Sequence, residues 1–384
     1  RRRSKSTSAA LPLPPASHGP SPRRYSTSAV RVSDVWAPGT PAPRVPAQPP
    51  GMSCRARAVI VQLADAVAHG DEAQVLVALD SLRALPPGER ENTSVYNEAL
   101  EALRPVWLSA AQTKRIMELF RGMLACGPHP DATTYALVAE LLCTGATARR
   151  KKHHHARAAD VAAADTLFAE ALQIAATAHA EHCAFHATGT YNALLEYCAQ
   201  SGNTRGAVEV LALLEQNILC KADPDSYRHL IDAFVADRSM RPHETAGEQQ
   251  QRRSNACEQL FEAFELSAAA AASFREFAER WGAPKKAAVW AAMLRARVEL
   301  GDAADAVALF ERMMSQGRAD APTPPVDEAA VSALVHGFVF TGDCDAAVQW
   351  LGQVCTAELP RPSRAAIDEL LDAIAHLPPD ACLA

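Results

Sequence analysis

The stretch from Thr190 to Asn203 reads TYNALLEYCAQSGN, and a second stretch, DPDSY, begins at Asp223. Apolar residues in the first stretch recur at helical spacing and leave one polar face. Gly202 suits the end of that helix, because glycine takes a left-handed backbone conformation without a side-chain penalty. One unit is therefore a helix, a glycine-containing turn and a second helix, and DPDSY marks the junction to the next unit.

This unit recurs along the chain. Four short turns contain the glycine, and each has an apolar residue eleven positions before it and another nine positions after it. The turns are His69-Gly70-Asp71, Ser201-Gly202-Asn203, Leu300-Gly301-Asp302 and Thr341-Gly342-Asp343. With further units included, the anchors are Val59, Tyr96, Tyr135, Tyr191, Tyr227, Trp290, Val331 and Ile367. The basic spacing is about 36 residues, which predicts an all-α, right-handed solenoid of helix-turn-helix repeats whose stacking buries the apolar stripes.

Two anchor spacings are long, at 56 and 63 residues. Polar stretches account for them: Thr147 to Asp160 contains two arginines, two lysines and three histidines in succession, and Arg238 to Arg253 contains Glu248-Gln249-Gln250-Gln251. A further stretch, Ser267 to Lys286, precedes the next anchor. We predict that the first two stretches are polar inserts in the turns between helices, and that the third is a further insert.

The first 50 residues differ from the rest. They hold eight Lys or Arg and a single acid, Asp34, and they are rich in Ser, Ala and Pro. This composition is typical of a mitochondrial transit peptide, and Arg23-Arg24-Tyr25-Ser26 resembles a matrix-protease cleavage region. A disordered tail without a targeting role is the alternative. We predict a transit peptide and linker at 1–52, a solenoid at 53–377, a tail at 378–384, and location in the mitochondrial matrix.

The remainder of the chain is acidic, with a net charge of −13. This excludes a generic basic nucleic-acid binder, so a nucleic acid would have to meet a local basic surface. No stretch reaches the roughly 18 consecutive apolar residues of a transmembrane helix, so no membrane span is predicted. The sequence also lacks a Gly-rich phosphate loop, a zinc-hydrolase helix and a nucleophile elbow, so we do not expect an enzyme.

The repeats resemble the pentatricopeptide repeat family. The resemblance rests on the two stretches quoted above, on HPDATTY from His129 to Tyr135, and on AVALFERM from Ala306 to Met313. The nearest alternative is the tetratricopeptide repeat, with a period of about 34 residues. The resemblance implies binding of single-stranded RNA in an organelle, with about one base read per repeat.

The resemblance also implies which side chains face the bases. They are the residue after each anchor and the residue four positions before the next anchor, so Asn97 pairs with Asp131 and Asn192 pairs with Asp223. This combination resembles the preference of the family for uracil, and an asparagine amide both donates and accepts hydrogen bonds. A solvated polar residue in the first turn of a helix is the alternative for both asparagines. The remaining pairs fit poorly: Ala136 with Ala187, Arg228 with Lys286, Ala291 with Asp327, and Ser332 with Ser363. Of these residues, Arg228 is also predicted to contact RNA.

Two further clusters are candidate sites. The run Arg149-Arg150-Lys151-Lys152 is predicted to contact RNA phosphates, with a solvated charged insert as the alternative. His179, His182, Cys183 and His186 have a spacing that could place imidazoles around zinc. No second ligand pair accompanies them, so we predict neither a metal nor a cofactor.

These observations predict a mitochondrial RNA-binding protein that acts in organellar transcript processing, stability or translation, with single-stranded organellar RNA as its partner. The alternative is a protein scaffold, such as a respiratory-complex assembly factor or a subunit associated with the mitochondrial ribosome. The acidic body and the poorly matching pairs favour this alternative. A basic concave face would indicate RNA, and an acidic or apolar one would indicate protein.

Overall fold

A computed structural model describes residues 52–90, 92–104, 109–151, 158–183, 185–217, 219–240, 244–272, 283–316, 326, 328–341, 344–356 and 360–375. The predicted tail, nearly all of the predicted transit peptide and linker, and the turn at Gly342 lie outside the described residues.

All regular structure in the described ranges is helical. The helices are α1 (Cys54–Ala68), α2 (Glu72–Arg83), α3 (Pro87–Arg90), α4 (Thr93–Ala102), α5 (Ala110–Cys126), α6 (Ala132–Lys151), α7 (Ala158–Ala180), α8 (Thr188–Ser201), α9 (Thr204–Gln216), α10 (Pro224–Ala236), α11 (Ala246–Ala272), α12 (Ala283–Glu299), α13 (Ala303–Gln316), α14 (Glu328–Thr341), α15 (Cys344–Thr356) and α16 (Arg364–Ala375).

The helices stack in a continuous series. The first helices of the repeats, α1, α4, α6, α8, α10, α12, α14 and α16, each pack against the next one in this order. Most of them also pack against the helix that follows in the chain, as in the hairpins α1–α2, α6–α7, α8–α9, α10–α11, α12–α13 and α14–α15. This confirms the prediction of an all-α solenoid built from helix-turn-helix repeats.

The predicted anchors lie in the core between these helices. Tyr96, Tyr135, Tyr191, Tyr227, Trp290 and Val331 are buried. Aromatic rings of the second helices pack edge-on against some of them: Phe120 lies 5.5 Å from Tyr135 and Phe261 lies 4.9 Å from Trp290, measured between ring centroids. The anchor spacing therefore corresponds to one aromatic or aliphatic residue buried in each of six first helices, whereas Val59 on α1 and Ile367 on α16 are only partly buried.

Two of the glycine turns need glycine for partly different reasons. Gly70 and Gly202 both have a φ of 66°, in the left-handed region that glycine adopts most readily. A Cβ added to Gly70 would meet nothing within 4 Å, whereas one added to Gly202 would lie 2.5 Å from the carbonyl oxygen of Ala236. The turn at Gly202 therefore needs glycine both for its backbone conformation and for the close approach of α10.

The expectation that the polar inserts form turns does not hold, because much of their described length is helical. Helix α6 continues through Arg149-Arg150-Lys151, and α11 contains Glu248–Gln251 and extends beyond Ser267 to Ala272. The physical reason is that Glu, Gln, Lys and Arg are good helix formers, and the outer face of a surface helix needs no apolar residues.

One described helix, α7, has the length and composition of a membrane span. Its large apolar residues Leu167, Phe168 and Ile174 are nevertheless buried in the core of the stack. Because this core accounts for its apolar residues, we interpret α7 as the second helix of its repeat.

Candidate nucleic-acid interface

The side chain of Asn192 connects two neighbouring repeats. It follows the buried Tyr191 on α8, and its Nδ2 donates to Oδ1 of Asp223 at 3.0 Å. Its Oδ1 accepts a hydrogen bond from the Ser226 hydroxyl at 2.6 Å. Asp223 and Ser226 lie at the start of α10, so the two residues that the repeat register pairs are joined by a hydrogen bond.

Asp223 is the N-cap of α10. Its carboxylate accepts from the backbone N–H of Ser226 at 2.9 Å, and the Ser226 hydroxyl accepts from the backbone N–H of Asp223 at 3.1 Å. This capping box satisfies helix N–H groups that otherwise lack partners, and Pro224 fixes the backbone in the first turn. The same bonds orient both partners of Asn192, and they leave its second amide N–H without a partner among the described residues.

The Asn97 site repeats this geometry at the start of α6. Nδ2 of Asn97 donates to the two carboxylate oxygens of Asp131 at 3.1 and 3.2 Å, and its Oδ1 accepts from the Thr134 hydroxyl at 2.7 Å. Asp131 accepts from the backbone N–H of Thr134 at 2.8 Å. Partial burial alone would raise the pKa of Asp131, but the hydrogen bonds from Thr134 and Asn97 outweigh it and lower that pKa.

The two sites differ in how far they are buried. Asp131 is exposed, whereas Asp223 is only 6% exposed. The chain that leads to Asp223 is held against α8 by Asn217, whose Nδ2 donates to the carbonyl of Phe185 at 2.8 Å and to the hydroxyl of Tyr191 at 3.1 Å. Repeat spacing gives no sign of Asn217, because this residue caps the C-terminal end of α9 and acts through loop contacts.

The pair of Ser332 and Ser363 is also in contact. The backbone N–H of Ser363 donates to the Ser332 hydroxyl at 2.8 Å, so the same register holds near the C-terminal end of the stack. The pair of Ala136 and Ala187 offers no polar side chain, and Ala187 caps α8 without a side-chain hydrogen bond. Asp327, the predicted partner of Ala291, lies outside the described residues.

Arg228 occupies on α10 the position that asparagine occupies on α4 and α8. It follows the buried Tyr227, and one of its terminal nitrogens contacts Nε2 of His229 at 3.0 Å. Burial, together with the charge of Arg228, lowers the pKa of His229 to about 4. The imidazole is therefore neutral at physiological pH, and its Nε2 accepts this hydrogen bond.

One residue of the basic run, Arg150, contacts two neighbouring helices. Arg150 lies at the end of α6, and its guanidinium contacts Oδ1 of Asp165 at 3.2 Å and the ring of Tyr197 at 5.6 Å from the centroid. The Tyr197 hydroxyl donates to the same Asp165 oxygen at 2.5 Å, and burial together with this bond raises the pKa of Tyr197. Arg150 therefore links α6, α7 and α8. Its phosphate contact, like that of Arg149-Arg150-Lys151-Lys152 as a whole, stays a prediction, and Lys152 lies outside the described residues.

The histidine cluster lies at the end of α7. His182 has a φ of 58°, and the backbone N–H of Cys183 donates to the carbonyl of Ala178 at 2.8 Å, which closes the helix. Within the described ranges, no group of three or more His, Cys, Asp or Glu residues lies close enough to hold a metal ion. The contacts of this segment are those of a helix C-terminus.

The stacked hairpins and their inter-repeat pairs define a helical-repeat protein. Residues 189–217, which span α8, α9 and the turn between them, match the family model of the PPR repeat. This segment is similar to a pentatricopeptide repeat, and it carries Asn192.

Two solved structures are similar to the chain. The crystal structure of the pentatricopeptide repeat protein PPR10 from maize is 21% identical, covers 82% of this chain and 41% of its own, and has a TM-score of 0.42. The crystal structure of PPR10 in complex with an 18-nt psaJ RNA element is 18% identical, covers 83% of this chain and 56% of its own, and has a TM-score of 0.23. The chain thus spans about half the length of these structures. No curated protein matches the sequence.

Proposed function

We propose that this protein is a member of the pentatricopeptide repeat family that binds single-stranded RNA, and that the Asn97–Asp131 and Asn192–Asp223 pairs each hold one uracil base. The observation that supports this most strongly is the repetition of one hydrogen-bonded cluster in two repeats. If the asparagines were only solvated polar residues at helix starts, there would be no reason for each one to bond the capping aspartate of the next repeat.

The chemistry of the cluster suits uracil. The Asn amide offers one N–H donor, and the adjacent carboxylate offers acceptor oxygens. Uracil presents a carbonyl oxygen beside an N3–H group, so the amide can donate to the carbonyl while the carboxylate accepts from N3–H. The hydroxyl of Thr134 or Ser226 occupies the amide oxygen, so the nitrogen rather than the oxygen is left for the base.

The order of the repeats sets the spacing of the two bases. Helix α6 lies between α4 and α8 in the series of first helices, and its own pair is Ala136 with Ala187. Alanine offers no hydrogen bond to a base edge, so this repeat accepts any base. With one base per repeat, the RNA motif is uridine, any nucleotide, uridine.

The proposed place of action is the mitochondrial matrix, and the proposed action is binding without catalysis in transcript processing, stability or translation. The basic, acid-poor composition of the first 50 residues supports the location. Imaging of the chain fused to a fluorescent protein tests it, with a variant lacking residues 1–52 as the control. Mitochondrial signal from the first fusion and diffuse signal from the second support the location, and equal distributions contradict it.

Ultraviolet crosslinking in isolated mitochondria, followed by sequencing of the bound RNA, tests the function. We expect a footprint that contains the uridine motif and is weakened by Asn192→Ala. Arg205→Ala is the control, because the Arg205 side chain is 91% exposed and lies on α9, away from the predicted base-facing positions on the first helices. A footprint without the motif, or one that both variants leave unchanged, would contradict the proposed base contacts.

One observation favours the second candidate, a protein scaffold. Glu101, Glu140, Glu196 and Asp232 each lie four positions after a predicted base-facing residue, which places them on the same helix face one turn further on. Arg104 bonds Glu140 at 2.8 Å and Arg295 contacts Asp232, so the row is partly neutralised. An acidic row repels phosphates and suits a basic protein partner, such as a ribosomal or respiratory-complex assembly component. A stable set of proteins retained after ribonuclease treatment, without an RNA footprint, would support this candidate.

A further inference from the structure

The α10–α12 junction carries cations where two other junctions carry an Asn–Asp pair. Arg228 follows the anchor Tyr227, and Lys286 stands four positions before the anchor Trp290. At the two Asn–Asp junctions, and at the Ser332–Ser363 junction, residues at these two positions are hydrogen-bonded to each other. Arg228 and Lys286 have only donors, so they cannot bond each other, and an acceptor is needed to join them.

The carboxylates around Arg228 are bonded to other cations. Asp225 is held by Lys285 at 3.0 Å, and Asp232 is held by Arg295. Arg228 lies 3.9 Å from the first and 3.8 Å from the second, which is beyond hydrogen-bond distance. Its guanidinium therefore keeps most of its N–H donors free of close protein acceptors in the described part of the chain, while its side chain is 33% exposed.

His229 fixes the direction of these donors. The ring of His229 is buried, and its Nε2 takes one N–H of Arg228 at 3.0 Å. A guanidinium has five N–H donors in a planar fork, so a bond on one side leaves the others for a ligand with several acceptor oxygens. Lys286 is half-buried in the first turn of α12 and makes no hydrogen bond or ion pair with the described residues.

We infer that Arg228 and Lys286 form a phosphate-binding site, and that its ligand is a backbone phosphate of the RNA whose base occupies the neighbouring Asn192 site. This inference rests on the proposed RNA binding. Arg228 contacts the phosphate through two N–H groups, a geometry that guanidinium and phosphate match well. Lys286 supplies a second charge from the adjacent repeat. The α10–α12 repeat therefore contributes affinity without reading a base.

Binding of a short fluorescent oligouridine to the full chain, followed from about 50 to 200 mM KCl, tests this site. The logarithm of the association constant falls linearly with the logarithm of the salt concentration. For a single strand, each lost phosphate contact makes this line less steep by about 0.7. We expect this full decrease for the Arg228→Gln, Lys286→Gln double variant, because both cations neutralise the same phosphate, and a part of it for each single variant. Arg228→Lys keeps the charge and should keep the slope.

Arg205→Gln is the matched control, because it removes one exposed charge on α9. Circular dichroism melting of each variant separates loss of the site from loss of the fold. If the unmodified chain binds in a salt-sensitive manner but the Arg228 and Lys286 variants keep its slope, the phosphate site is wrong and the RNA-binding function stands. If the unmodified chain does not bind RNA, both proposals fail.

A base-reading role for Arg228 gives a different result. Arginine can bond the acceptor edge of guanine, so such a role predicts tighter binding when guanosine replaces the uridine beside the motif. The phosphate site predicts equal affinity for all four bases at that position. A guanosine preference that disappears in Arg228→Gln without a change of slope would overturn the inference.

Discussion

The α4–α6 junction and the α8–α10 junction share one hydrogen-bonded cluster and differ in how deeply it is buried. In both, an asparagine after the tyrosine anchor bonds an aspartate N-cap and a hydroxyl three residues further on. Asp131 at the first junction is exposed, and Asp223 at the second is 6% exposed. The repeat register thus determines the bonding pattern, whereas the contacts of the loop before the aspartate determine its depth.

Gly202→Ala should have the largest effect, because it acts at the tightly packed junction. A left-handed alanine costs about 1–2 kcal/mol, and the clash of its Cβ with the backbone of Ala236 adds a similar amount, for a total of about 3 kcal/mol. Gly70→Ala has the same φ but open space around it, so it should cost only about 1–2 kcal/mol. Urea unfolding of both variants measures the difference, and equal losses would show that Gly202 is not in close contact with α10.

The two junctions also differ in a buried histidine, which a pH titration detects. His229 on α10 stands two residues after its anchor, where α6 has the buried Leu137. Its pKa of about 4 lies below the ordinary value of 6.5, so the unfolded chain takes up the proton first. The neutral ring contributes full stability above about pH 6.5, and this contribution falls by about 2.5 kcal/mol by about pH 4.5.

His229→Leu gives the second junction the residue of the first. The unfolding free energy of both proteins is compared at about pH 7 and about pH 4.5. We expect the decrease between these pH values to be about 2.5 kcal/mol smaller for His229→Leu than for the unmodified chain. The charged groups that act on the ring, Arg228, Asp232, Glu196 and Asp225, are kept in both proteins. His186→Leu is the control for loss of an exposed histidine. The same pH dependence in all three proteins would show that His229 is not buried as a neutral ring.

The two aspartates should differ in their effect on stability. Asp223→Ala removes a buried cap and leaves the Asn192 amide and the backbone N–H of Ser226 without their acceptor, so we expect a loss of about 2 kcal/mol. Asp131→Ala removes the equivalent cap at an exposed position, where water replaces the lost bonds, and should cost about 1 kcal/mol. Thermal or urea unfolding measures both losses. A larger loss for Asp131→Ala would contradict the greater burial of Asp223.

The sequence predicts the repeat class of this fold well, because the signal comes from the repeat itself. A buried aromatic at Tyr96, Tyr135 or Tyr191 and a left-handed glycine at the turn recur at fixed offsets, and the same offsets pair Asn192 with Asp223. The secondary structure of the polar stretches is harder to predict, since Glu248–Gln251 is compatible with either a loop or the exposed face of a helix. Contacts between distant loops were beyond prediction, and Asn217 is the example: it bonds Phe185 and Tyr191 through a fold that local spacing does not encode.

Removing the asparagines should have the smallest effect in energy. Asn97→Ala and Asn192→Ala each delete one hydrogen bond to a base, worth about 1 kcal/mol or roughly fivefold in affinity. Because Asp131 is more exposed than Asp223, its carboxylate is the more accessible acceptor for the base once the asparagine is gone, so Asn97→Ala should weaken binding less than Asn192→Ala. Fluorescence anisotropy with an oligoribonucleotide that contains the motif measures both, and a larger effect of Asn97→Ala would contradict this ranking.

The most direct test of the account compares two RNAs on the unmodified chain. One contains the motif of two uridines separated by a single nucleotide, and the other has both uridines replaced by adenosine in an otherwise identical strand. Two uracil contacts of about 1 kcal/mol each predict binding of the first strand roughly 20- to 30-fold more tightly, at equal salt. Equal affinity for the two strands, or no binding of either, would contradict the claim that the Asn–Asp pairs hold uracil.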